Sequence, residues 1–99
     1  MKAALTGKQK QFLKGLAHPL SPIVRVGKGG VTQPVVEETK KSLDIHELIK
    51  VRIDVEDSSD RRAMAEQLAD AADAHLAGAI GKIAILYRER DEDPEIKLP

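Results

Sequence analysis

Within residues 47–55, Glu-Leu-Ile-Lys-Val-Arg-Ile-Asp-Val, apolar and polar side chains alternate from Ile49 to Val55. Successive side chains of an extended segment point to opposite faces, so Ile49, Val51, Ile53 and Val55 form one apolar face. Lys50, Arg52 and Asp54 form the other. A helix, with its period of 3.6 residues, cannot sort these side chains that way. The segment demands a sheet, and the apolar face demands a covering layer.

The remaining segments supply both. Thr6 can cap a helix running to about Ala17, with Phe12, Leu13 and Leu16 as its apolar stripe and Lys8, Lys10 and Lys14 outside it. His18-Pro19 stops that helix, because the residue before proline is pushed out of the α region. Ile23 to Val26 reads as a short strand. Thr32 and Pro34 then open a second helix ending near Asp44, with Val35, Val36, Thr39 and Leu43 facing inward. A third helix is predicted from about Ser59 to His75, burying Ala63, Met64, Leu68, Ala71 and Ala72. Residues 77–80 and 82–87 flank Gly81 as a hairpin or a bulged pair of strands. The order α-β-α-β-α-β-β predicts an α/β chain of the α+β, two-layer kind, built on a four-stranded mixed sheet. One domain is expected over residues 1–88, followed by an acidic, partly mobile tail at 89–99.

The chain has 99 residues with 16 basic and 16 acidic side chains, a formal net charge of zero. The charges are sorted along it. Residues 1–50 hold nine cations and four carboxylates, residues 51–99 seven and twelve. No carboxylate precedes Glu37. Such asymmetry points to a polyanionic partner and restricts which face can meet it. Without cysteine there is no disulfide framework, thiolate metal site or cysteine nucleophile. No segment has the roughly 20 apolar residues of a membrane span, and Ala3-Ala4-Leu5 is too short for a secretion signal. The expectation is a cytoplasmic protein without membrane contact. Phe12 and Tyr87 are the only aromatic residues, so bases have little on which to stack.

Strand, Gly27-Lys28-Gly29-Gly30, helix is the most informative local pattern. Glycines permit positive φ and let a backbone approach a ligand closely. The helix start beyond them offers free N–H groups and a positive dipole end, which suit a phosphate. Lys28 adds a mobile cation at the tip. The same Gly-x-x-Gly pattern clamps the backbone in KH-type RNA modules. Common turns share it, so the tetrad by itself is a weak signal. The basic first helix strengthens it, since Lys10 and Lys14 share a face and no carboxylate intersperses them. The chain lacks both the nucleotide P-loop pattern and the dinucleotide fingerprint.

Other side chains carry less. His18, His46 and His75 are isolated, without metal-ligand spacing; His18 reads as closing a helix end and His46 as part of a turn. Asp54, Glu56, Asp57 and Asp60 lack the glycine and terminal glutamate of a calcium loop and read as a solvated turn. Ser58 and Ser59 have no histidine at motif spacing. Arg62 and Glu66 form a helix-surface pair. No catalytic residue, metal, cofactor or small-molecule substrate is expected.

The blocks Lys8 to His18, Val26 to Thr32, His46 to Val51, Ile80 to Lys82 and Leu86 to Arg88 occur in the order and spacing of the YhbY-type CRM (chloroplast RNA splicing and ribosome maturation) domain, which the chain resembles from about Leu5 to Arg88. The resemblance implies a domain like the C-terminal domain of translation initiation factor three, with a KH-like Gly-x-x-Gly loop. Stand-alone bacterial members are associated with precursors of the large ribosomal subunit. By that likeness Gly27, Lys28, Gly29 and Gly30 contact RNA, and Lys8, Lys10, Lys14, Arg25 and Lys50 extend the basic surface. The acidic Asp91-Glu92-Asp93 run departs from this pattern. The resulting expectation is a monomeric, non-catalytic RNA-binding protein acting on precursor large-subunit rRNA in ribosome biogenesis. The alternative from another class is an adaptor docking on ribosomal proteins or assembly factors.

Overall fold

The computed structural model describes residues 3–99. Seven elements follow in the expected order: α1 (Gly7–Ala17), β1 (Pro22–Val26), α2 (Gln33–His46), β2 (Leu48–Ile53), α3 (Ser58–Ala71), β3 (His75–Ile80) and β4 (Ile83–Tyr87). The sheet order is β1-β2-β4-β3. β1 runs parallel to β2, whereas β2–β4 and β4–β3 are antiparallel. The fold is α+β with a mixed sheet.

Local chemistry starts each helix. The Gln9 amide donates to Thr6 Oγ1 at 3.1 Å, and the Thr6 amide donates to Gln9 Oε1 at 3.0 Å. This reciprocal box satisfies two amides near the open end of α1. Thr32 caps α2, with Pro34 in its first turn. Asp57 Oδ1 accepts from the Ser59 and Asp60 amides at 2.9 and 3.0 Å and so caps α3. An aspartate read as part of a solvated turn therefore has a structural task.

The alternation at β2 organises the main core. Ile49, Val51 and Ile53 pack with Val24, Val26, Ala84 and Leu86 of the neighbouring strands, beneath Val36 and Leu43 of α2 and Leu68 of α3. Each fully buried aliphatic side chain of this kind contributes about 1.5–3 kcal/mol. On the other face Leu48, Ala77, Ile85 and Tyr87 are covered by Leu13 and Ala17 of α1. Helices thus lie on both faces of the sheet, and α1 adds a smaller layer to the expected pair. The polar side of β2 holds at Lys50 and Arg52, while Leu48 on the same side is buried.

Several boundaries and facings differ from the sequence expectation. α1 buries Leu13 and Ala17, and leaves Phe12 and Leu16 about 40 % exposed (38 % and 41 %). Small Ala17, rather than bulky Leu16, lets the helix approach the sheet. α2 continues to His46, two residues beyond Asp44. α3 ends at Ala71, because Asp73 adopts a positive φ of 54° and turns the chain. β3 consequently begins at His75, where helix was expected. Within α3 the buried face is Ala65, Leu68 and Ala69, whereas Ala63 and Ala71 are exposed. Several alanines at adjoining positions allow more than one apolar stripe. β2 covers six residues and excludes Glu47, which caps α2 with φ 60°.

Glu47 is buried at 1 % exposure. Its carboxylate accepts the amides of Arg90 (2.8 Å), Glu95 (2.8 Å) and Ile96 (3.0 Å). Burial pushes its pKa up, but the amides of Arg90, Ile96 and Glu95 and the Arg90 charge outweigh it and hold the group below its ordinary 4.5. This clasp brings Ile96 and Leu98 against the α1 side of the sheet. Arg88 makes a second tie, donating to the Ala72 carbonyl (2.8 Å), the Lys40 carbonyl (3.2 Å) and the Asp44 carboxylate. It joins the ends of α2 and α3.

Candidate nucleic-acid interface

The glycine loop leaves β1 at one edge of the sheet. The Asp54 amide donates to the Val26 carbonyl at 2.8 Å, which fixes the point of departure. A tight turn follows, closed by the Gly30 amide on the Gly27 carbonyl at 3.0 Å. The Thr32 amide then donates to the Gly30 carbonyl at 3.0 Å and leads into the capped start of α2. Gly30 has a φ of 78°, in the left-handed region that favours glycine. Gly27 and Gly29 have negative φ and room for a side chain: nothing lies within 4 Å of a Cβ at Gly27, and Thr32 Cγ2 lies 3.9 Å from one at Gly29. The fold therefore requires glycine at one of these three positions.

What the loop presents is backbone. Gly27, Lys28 and Gly29 are exposed. Among the described residues no acceptor of the chain takes the amides of Lys28 or Gly29. These amides and the adjoining start of α2 give the polarity that holds an anion. Lys28 has no ion-pair partner among the described residues, so its charge is available at the turn.

The other cations fall into separate groups. Arg25 stands one residue before the end of β1, 71 % exposed, and reaches Asp54 Oδ2 at 3.3 Å. It is opposite Arg52 in register, and Arg52 Nε donates to Asp54 Oδ1 at 2.7 Å. The hydrogen bond from Arg52, with the charges of Arg52 and Arg25, holds the Asp54 carboxyl below its ordinary range. Two arginines share one carboxylate, leaving positive charge beside the loop. Arg52 was missed as a site residue from sequence, although its place on the polar side of β2 is the signal that could have found it.

Lys50 is occupied internally. Its Nζ donates to the carbonyls of His18 at 3.1 Å and Leu20 at 2.9 Å, tying the segment after α1 to β2. Lys10 and Lys14 lie toward the opposite edge. The Lys14 stem lies over Gly78 of β3, where an added Cβ would come within 2.5 Å of Lys14 Cε. Lys10 borders a groove with Glu66, Asp70 and Leu76. Lys8 is exposed on the first turn of α1. The loop and Arg25 are thus brought together at the β1 edge, and Lys10 and Lys14 stand along the β3 edge. At the loop end of the sheet the Ile53 amide meets the Lys82 carbonyl at 2.7 Å, but the Lys82 charge is paired with Glu56 at 2.8 Å.

An α+β domain with an open glycine turn between a parallel edge strand and a capped helix defines a class of backbone-presenting binding domain. Within that class, the chain belongs to the CRS1/YhbY (CRM) domain family, whose model matches residues 5–88. It is 41 % identical over 95 residues to YqeI of Bacillus subtilis, named a probable RNA-binding protein, covering 96 % of this chain and 99 % of that one. A Haemophilus influenzae protein named as RNA-binding is also 41 % identical over 95 residues, covering 96 % of this chain and 95 % of its own. The solution structure of SAV1595 from Staphylococcus aureus superposes with a TM-score of 0.86 at 40 % identity, covering 96 % of this chain and 99 % of that one.

Proposed function

We propose that this chain is a non-catalytic RNA-binding protein that engages precursor large-subunit rRNA and assists ribosome assembly, as a monomer in the cytoplasm. RNA binding draws its support from the family and from the names of its relatives. The observation that carries the site is the turn at Gly27–Gly30, with unclaimed amides, an unpaired Lys28 and a helix start beside it. Amides at that turn hold a phosphate, and Lys28 and Arg25 supply the surrounding field. With one exposed aromatic side chain, Phe12, recognition follows backbone and shape rather than base identity.

The test is a titration of folded fragments of precursor large-subunit rRNA at several salt concentrations. Affinity should fall steeply with salt, and Lys28→Glu should weaken it by about tenfold or more at low salt. Binding indifferent to salt and to Lys28→Glu would dismiss the loop as the site. Equal affinity for unrelated structured RNA would dismiss the ribosomal target while keeping the loop.

A further inference from the structure

A second surface lies on the α1 side of the sheet, between α1 and the β1 edge. Leu13 and Ala17 anchor α1, and Lys14 leans over β3. Phe12 and Leu16 occupy the opposite flank of the helix, on the side of β2. Lys50 draws Leu20 over β2 by its bond to the Leu20 carbonyl. Ile23, the extra residue of a bulge in β1, lines a shallow groove with Arg25 and Arg52. Phe12, Leu16, Leu20 and Ile23 are 38–47 % exposed, and they are four of the six large apolar side chains exposed in the described chain. The remaining two, Ile45 and Ile80, belong to other elements.

We infer that this face docks a protein partner through a segment bearing aliphatic side chains interspersed with carboxylates. Three of the four exposed residues are aliphatic and offer no ring for a base, so the surface suits side-chain packing better than nucleotides. Its rim is cationic: Arg25 and Arg52 line the groove beside Ile23 and share the Asp54 carboxylate between them, and Lys8 stands one turn before Phe12 on α1. No carboxylate occurs in the chain before Glu37, so α1 and β1 offer an acidic segment no repulsion. The bulge and Pro22 interrupt the free edge of β1, which disfavours an added strand and leaves side-chain docking as the mode. The glycine loop lies beyond the end of β1, and Arg25 stands between it and this face.

Nuclear magnetic resonance on the 15N-labelled full chain tests this. The probes are a panel of synthetic peptides with leucines at helical spacing and either Glu or Lys between them, and an oligouridine. The Glu peptides should move the amides of Phe12, Leu16, Leu20 and Ile23 and leave Gly27–Gly30 unmoved. Phe12→Ser with Leu16→Ser should weaken that binding about tenfold and spare RNA affinity. Should that pair disturb the amide spectrum, Ile23→Thr serves in its place, with the same expectation. Lys28→Glu should do the reverse, so loss of the RNA site and loss of this one are read separately. Equal binding of the Lys peptides, no peptide response, or oligouridine moving the Phe12–Ile23 face instead would overturn the inference. So would concentration-dependent shifts of that face in the protein alone, which mark a second copy as the occupant.

Discussion

Gly30 and Gly27 sit in one turn under different obligations. Gly30→Ala forces a side chain into the left-handed region and should cost roughly 1–2 kcal/mol of stability, read as a lower unfolding midpoint. Gly27→Ala meets open space and should leave that midpoint within about 0.5 kcal/mol. If RNA approaches the backbone there, Gly27→Ala nevertheless weakens binding. Unchanged affinity would show that Gly27 is not a close-approach position. Tyr87 offers a second residue-scale reading. Burial, then the charges of Glu89 and Glu47, raises its pKa above 10.0, and its buried hydroxyl has no hydrogen-bond partner among the described residues. The folded state therefore holds the phenolic proton more tightly than the unfolded state. Stability contributed by neutral Tyr87 is intact below pH 10.0 and is lost as pH rises through the folded value. Absorbance titration of this sole tyrosine should show a midpoint above 10.0 when folded and near 10.0 in denaturant. Residue identity alone foretold neither case, nor the internal bonds of Lys50. A lysine on a polar strand face reads as solvent-exposed until the carbonyls that it meets, 32 and 30 residues away, are placed.

At the scale of elements, the clasp on Glu47 has the clearest test. The charge-assisted bonds to the amides of Arg90, Glu95 and Ile96 are each worth about 1.5–3 kcal/mol at most. Glu47→Gln should speed hydrogen exchange at those three amides well before it affects β2 or β4. Because the folded pKa is depressed, the clasp's stabilisation is present above 4.5 and is lost as pH falls through the lower folded value. Wild-type protection factors at these amides should fall in that acid window, and Glu47→Gln should flatten their pH dependence. Identical profiles would mean that Ile96 and Leu98 hold the segment by packing alone. The strand alternation at β2 and the capping residues Thr6 and Thr32 were legible from sequence, because each is set by neighbours within one element. The clasp was not, since a glutamate before a strand carries no mark of three amides lying more than forty residues downstream. α3 was half legible: its existence follows from composition, but four alanines offer competing stripes and only packing selects Ala65 and Ala69.

For the whole molecule, the sorting of charge along the chain becomes a sorting in space only in part. Lys28 and Arg25 stand at the β1 edge, Lys10 and Lys14 toward the β3 edge, and Lys50 is spent within the fold. A short RNA strand reaching only the loop should release fewer counterions than five cations would imply. Its log–log salt slope should be nearer −1.4 than −3.5, at about −0.7 per phosphate. Lys28→Ala should remove about 0.7 from that slope, while Lys50→Ala should lower stability by about 1 kcal/mol and leave the slope alone. A slope near −3.5 for a short oligonucleotide would instead show that the edges act together. The loop was legible because its three glycines fall within four consecutive residues; the division of the cations was not, because it depends on sheet order. The packing of Ile96 and Leu98 beside Leu13 has a further effect, on the timing of assembly. The Gln9 side chain meets the Pro99 carbonyl across a separation of 90 residues. During synthesis α1 therefore emerges well before the residues that pack beside Leu13, so the side of the sheet begun first is finished only when Ile96 and Leu98 follow.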